Sequence, residues 1–257
     1  MDGAVDLDGS VLCLVGLGSE LDDLCLRFAG RLADAIEAPL TAKPAPRRGA
    51  VDWPRGIELG TLVVAPADRG PLAGVFRRQR SPSLAKRLGM PAVLVPDAAG
   101  EVVRDGFEGE IVCGVDSSRG ARSAAQTASA LAGRLRLPMA LVHAHEPVPP
   151  LAMAAPGGGT AVRPLGHLDD ESRESSWELL EALDRATPKP ARLRLRSGPP
   201  AACLNDYASL RAAPLIVVGA PDRGPLAALL VPSTAWDLAR TARAPVMYVP
   251  EGFAPPW

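Results

Sequence analysis

Aromatic side chains are scarce in this chain: Phe, Trp and Tyr together make up 4% of its 257 residues. Ala, Leu and Val therefore have to fill the interior, as they do where a parallel sheet is covered on both faces. Neither sign of charge dominates, with 28 Lys and Arg against 29 Asp and Glu. That balance removes the electrostatic case for a nucleic-acid or anionic-membrane partner. No apolar run reaches the ~18 residues of a membrane span. The opening residues, Met1-Asp2-Gly3-Ala4-Val5-Asp6, are acidic and lack the basic stretch of a secretory leader, so the cytoplasm is the expected location. The four cysteines, Cys13, Cys25, Cys113 and Cys203, form no CxxC pair and fit no zinc spacing. Cys13 and Cys113 lie inside apolar runs and read as small core residues.

What the chain does have is a repeat. Asp68-Arg69-Gly70-Pro71-Leu72-Ala73 recurs as Asp222-Arg223-Gly224-Pro225-Leu226-Ala227, 154 positions later. Residues 91–96 (PAVLVP) and 245–250 (PVMYVP) align at the same offset. An apolar run precedes each loop, at residues 62–64 and 215–218, so each copy closes as strand, loop, helix, strand. The beginnings also match: Val11-Leu12-Cys13-Leu14-Val15 resembles Ile111-Val112-Cys113-Gly114-Val115. Both are short, continuous apolar runs, as expected for strands buried on both faces. Helical periodicity follows over residues 20–38 and 121–137, with Pro39 and Pro138 as the expected stops.

The second copy holds far more chain after its second strand, residues 140–143. Residues 147–166, rich in Pro, Gly and Ala, read as a long surface loop. Residues 169–186 then read as a helix, 191–196 as a strand of alternating Arg and Leu with one wetter face, and 200–212 as a further helix. The first copy has only residues 42–60 there, interrupted by Pro44, Pro46 and Pro54. The expected organisation is a shortened unit over 11–96, a linker over 97–109 and a fuller unit over 110–251. Alternation of strands and helices implies an α/β fold of parallel sheets joined by right-handed crossovers. Ligands of such sheets sit at the carboxyl ends of the strands, at the topological switch point.

The stretch Ile111-Val112-Cys113-Gly114-Val115-Asp116-Ser117-Ser118, followed by an Ala-rich helix, resembles the first strand and turn of the universal stress proteins. Residues 215–233 and 245–250 are similar to that family's last strand, loop, helix and strand. The resemblance implies two tandem units of Rossmann-like, adenine nucleotide alpha hydrolase-like type, related by a pseudo-two-fold axis, with the last strands of the two units meeting inside one chain. Such a molecule is an internal pseudo-dimer, with further homodimerisation as an option. The resemblance also implies an adenine nucleotide, ATP with Mg²⁺, as the ligand class. Carried over residue by residue, the nucleotide site comprises Val115, Asp116 and Ser117 after the first strand and Val142 in the second. It is completed by Gly219, Arg223, Gly224, Ser233 and Thr234 around the loop. In nucleotide-binding members that loop reads Gly-x2-Gly-x9-Gly-Ser/Thr, because backbone N–H groups must approach the phosphates closely. Here Gly219 and Ser233 keep the first and last positions, but Asp222 and Pro232 replace the two middle glycines. A carboxylate repels phosphate, and proline has no N–H to donate. In the first copy, Ala65 stands for the first glycine and Gln79 for the hydroxyl residue. The run Arg77-Arg78-Gln79-Arg80 reads as a solvated face.

His143 and His145 share one face of a strand at i, i+2 spacing. No third ligand accompanies them, so they read as hydrogen-bonding strand-end histidines rather than a metal site. No Gly-x-Ser-x-Gly elbow surrounds Ser117, and no nucleophile and base set is evident. The expectation is a stress-response binding and signalling module without turnover, its nucleotide loop degenerate. The alternative is an ATP-binding, weakly hydrolysing protein that uses its C-terminal unit.

Overall fold

A computed structural model describes residues 10–15, 20–44, 62–67, 85, 89–147, 151–154, 160–163, 166–220 and 234–256. The repeated Asp68 and Asp222 loops, the Arg77–Arg80 run and the turn after the first strand lie outside the described residues. The first half contributes β1 (Val11–Val15), α1 (Glu20–Ala35), β2 (Leu40–Pro44), β3 (Leu62–Pro66) and β4 (Ala92–Val95). A 3₁₀ turn (Asp97–Ala99) and α2 (Gly100–Asp105) follow, so the expected linker is itself helical. The second half opens with β5 (Ile111–Gly114), α3 (Arg119–Arg134) and β6 (Met139–His145). It continues with β7 (Leu151–Ala154), β8 (Thr160–Arg163), α4 (Gly166–Arg185) and β9 (Arg192–Ser197). It closes with α5 (Pro200–Leu210), β10 (Ile216–Gly219), α6 (Thr234–Thr241) and β11 (Val246–Val249). The stretch read as a surface loop contains the antiparallel hairpin β7–β8. Its Gly- and Pro-rich composition hid two short strands.

Nine strands form one sheet in the order β2-β1-β3-β4-β11-β10-β5-β6-β9. Every neighbouring pair is parallel except β4 and β11, which meet antiparallel. Their register is Ala92↔Tyr248, Val93↔Met247 and Leu94↔Val246. Val93 and Met247 each stand second in their strands, so the ladder reads the same from either side and a local two-fold axis passes between them. Outward from that axis, β3 mirrors β10, β1 mirrors β5 and β2 mirrors β6, while β9 has no counterpart.

The helices α1 and α3 end alike. Glu37 and Arg136 both adopt φ 56°, a left-handed conformation that costs a non-glycine residue ~1 kcal/mol. The cost is offset by closure of the last turn: Ala38 N–H donates to Ala33 O at 2.9 Å and Leu137 N–H to Ala132 O at 3.0 Å. Pro39 and Pro138 lie beyond these stops. Their carbonyls accept from Val11 and Ile111, both at 2.9 Å, and so join the strand ladders.

The register also corrects one sequence alignment. Ala67 N–H donates to Val95 O at 2.8 Å, and Ala220 N–H to Val249 O at 2.7 Å. Pro66 pairs with Val95 and Gly219 with Val249. Pro66, not Ala65, therefore occupies the Gly219 position. The extra residue before the second loop, Pro221, had shifted the alignment by one.

One face of the sheet is covered by α1, α3 and α4, which bury Phe28, Leu131 and Leu180. On the other face α5 and α6 bury Leu204, Tyr207 and Leu238. The connecting segment packs against the first half: Phe107 meets Phe28 edge to face at 5.3 Å, and Arg31 Nη1 donates to Val103 O. The Cys13, Cys25 and Cys113 thiols are buried. Burial, reinforced by the Asp22 charge, pushes Cys13 up to about 12, and burial raises the other two further. These are inert core thiols.

At the start of β5, Glu110 is 2% exposed. Its carboxylate accepts from Tyr207 Oη at 3.0 Å and pairs with Arg192 at 3.3 Å and Arg211 at 3.5 Å. One charge thus ties β5, β9 and α5 together. The outer edge of β9 is blunted by neighbours. Ala191 N–H donates to Asp184 Oδ1 at 2.7 Å, Arg194 Nη1 covers Leu193 O at 2.8 Å, and Cys203 Sγ lies 3.6 Å from Ser197 O. Partly occupied backbone groups and a row of arginines deter another strand from adding there.

Two outcomes follow. Glu110→Ala strands the buried Tyr207 hydroxyl and is expected to lower unfolding free energy by about 1–3 kcal/mol, read from urea denaturation. The double variant Asp184→Ala, Arg194→Ala is expected to keep its circular dichroism spectrum but form larger particles in light scattering; unchanged monodispersity would deny the edge-protecting role.

Candidate functional site

Because β6 and β9 lie on one side of β5, and β10 and β11 on the other, the chain reverses its direction of travel across the sheet between β5 and β10. A crevice at the carboxyl ends of these two strands is the expected ligand position for such a sheet. Five of the residues carried over from the sequence converge there. Val115 follows β5, and its N–H donates to Val142 O at 3.0 Å. Asp116 and Ser117 are exposed in the turn beyond it. Gly219 closes β10 on the opposite side. Thr234 opens α6, and no hydrogen bond among the described residues joins it to the others. Arg223, Gly224 and Ser233 lie outside the described residues.

The turn after β5 is fixed locally. Asp116 Oδ1 accepts the Ser118 N–H at 2.9 Å, a side chain substituting for a backbone turn. Ser118 is then the extended N-cap of α3, and its side chain makes no capping hydrogen bond. In the first turn Ala121 N–H donates to Ser118 O at 3.2 Å, and the helix end carries partial positive charge. Arg119 is exposed and leans toward Glu251 at 3.8 Å.

Gly219 has a packing reason of its own. A Cβ built there meets Gly120 C at 3.0 Å and Gly120 Cα at 3.3 Å. Two glycines let the first turn of α3 sit directly on the end of β10. Gly120 was absent from the sequence-derived set. Its only signal was a glycine in the first turn of an Ala-rich helix. Gly114, two residues before Asp116, is similarly constrained: a Cβ would meet Leu204 Cδ1 at 2.6 Å, so α5 rests on the strand that carries the turn.

The two histidines of β6 make hydrogen bonds, as expected from the lack of a third ligand near them in the sequence. His143 Nδ1 lies 2.8 Å from Val115 O. A carbonyl only accepts, so Nδ1 carries the proton, and the ring buttresses the residue ahead of Asp116. His145, 3% exposed, donates Nε2–H to Asp169 Oδ1 at 2.8 Å, with Ser172 Oγ 3.5 Å from Nδ1. This pair joins the end of β6 to the start of α4 and closes the base of the excursion that carries the β7–β8 hairpin. Among the described residues no cluster of three His, Cys, Asp or Glu side chains is placed to hold a metal ion. No helix among them is long and apolar enough to cross a membrane.

Known proteins share this architecture. The functionally unknown protein PA1789 from Pseudomonas aeruginosa PAO1 is similar at 14% identity and a TM-score of 0.59, over 95% of this chain and 93% of that one. A universal stress protein from Archaeoglobus fulgidus DSM 4304 is similar at 11% identity and a TM-score of 0.56, over 96% and 98% of the two chains. The universal stress protein from Archaeoglobus fulgidus in complex with dAMP shares 19% identity at a TM-score of 0.37, over 56% of this chain and 98% of that one. Comparison with curated proteins gives no match. The model of the universal stress protein family matches residues 109–250, more than half of the sequence and the whole crevice-bearing half, and the chain belongs to that family.

Proposed function

We propose that the protein is a cytoplasmic stress-response binding and signalling module that carries out no turnover, with its ligand crevice between β5 and β10. The observation that carries this reading is how the crevice residues are used. Asp116 is committed to holding the turn, Gly219 to admitting the first turn of α3, and His143 to buttressing Val115. No side chain in this group is paired as nucleophile and base. The symmetric β4–β11 ladder supports a second element of the reading: the shortened first half stands where a partner subunit's last strand would stand, as an internal pseudo-dimer.

A second reading is adenine nucleotide binding by the C-terminal half, ATP with Mg²⁺ being the family's ligand class. What favours it is the α3 N-terminus beyond the carboxyl end of β5, where the N-cap Ser118 makes no side-chain capping hydrogen bond. Against it stand Asp222 and Pro232, a repelling carboxylate and a missing donor among the loop positions. Isothermal titration with millimolar Mg·ATP decides between the two. The first reading expects no saturable heat and no phosphate release. Saturable binding weakened at least about tenfold by Asp116→Ala selects the second. Nucleotide hydrolysis lost in that variant would instead make the protein an enzyme.

The packing role of Gly219 is separable from any phosphate role. Gly219→Ala forces backbone apart at the β10–α3 contact and is expected to cost the ligand-free protein about 1–3 kcal/mol. Unchanged urea stability would leave phosphate approach as the only reason for that glycine.

A further inference from the structure

A second cavity lies at the opposite end of the sheet. Because β4 runs antiparallel to β11, the connecting segment leaves the first half beside the amino ends of β5, β10 and β11. There α2, the end of α5 and the turn before β11 enclose about 400 Å³, within the roughly 300–1,000 Å³ of small-molecule sites. Five alanines and Val102 form its apolar lining. Its polar groups come from Glu101, Glu108, Asn205, Ser209 and Arg243. Asn205 Nδ2 donates to Thr241 Oγ1 at 3.1 Å, while its buried Oδ1 has no partner. The two carboxylates and the guanidinium are different: none makes an ion pair or hydrogen bond with the described residues. Three charges of both signs, all unspent, border one cavity with a short, smooth apolar wall.

We propose that this cavity is a binding site for a small zwitterion of the amino-acid class. The ammonium takes the Glu101 and Glu108 side, the carboxylate takes Arg243, and a short aliphatic body lies on the alanines. Two carboxylates suit an ammonium's three donors, and a guanidinium offers a carboxylate two parallel ones. The alanines leave width for a branched aliphatic group. A compound held there bridges the connecting segment to α5. The same helix presses Leu204 onto Gly114, two residues ahead of Asp116.

The test uses the full chain and L-leucine as probe, followed by amide chemical-shift titration. The expected result is saturable shifts at residues 98–108, 205–213 and 243–244, with smaller shifts around residues 114–118. N-acetyl-leucine lacks the ammonium and leucine amide lacks the carboxylate; each is expected to bind at least about tenfold more weakly. Glu101→Gln with Glu108→Gln, and separately Arg243→Ala, are expected to weaken L-leucine binding similarly. These positions are exposed, so unfolding temperatures are expected to stay near the parent's. No saturable shift with L-leucine, equal affinity in the variants, or shifts confined to the crevice would each overturn the proposal and show these charges to be solvated surface groups.

Discussion

The antiparallel pairing of β4 with β11 is the contact on which the rest of the molecule depends. Each half ends in a strand whose outer edge would otherwise expose unpaired amides and carbonyls along an apolar run. Three residue pairs centred on Val93 and Met247 cover both edges at once. The result is a single nine-stranded sheet with a core continuous from Phe28 to Leu180. That pairing also decides where everything else points. The carboxyl ends of β5 and β10 face one end of the sheet, while the connecting segment and the 400 Å³ cavity are sent to the other.

The remaining edges are managed by different means. At β9, Asp184 and Arg194 occupy backbone groups that another strand would seek, and alternating arginines surround them. At β2, the strand is short and ends in Pro44, which has no N–H to offer. Central pairing by symmetry and edge protection by charge and proline let a long open sheet exist with few aromatics to anchor it.

At the carboxyl ends of β5 and β10, Asp116 and Gly219 each have a structural task independent of any nucleotide: one closes a turn, the other admits a helix. Replacing either disturbs the backbone after β5 or the seat of α3, so the presence of these two residues is by itself weak support for a ligand.

Much of this was readable from residues alone, because it depends on local pattern. Continuous apolar runs mark buried strands, the repeated Asp-Arg-Gly-Pro motif marks two related halves, and the Arg and Leu alternation over 191–196 marks a strand with one wetter face. The sequence alone also determined the absence of a CxxC pair. Tertiary structure decided what depends on groups distant in the chain. The one-residue shift that puts Pro66 opposite Gly219 appears only when both are paired to the last strands. The Gly219–Gly120 contact, the Glu110 network and the charges around the second cavity bring together segments 82 or more residues apart. A sequence specifies each strand's own face through neighbours at i+2; which strand lies beside it is set by the packing of the whole sheet.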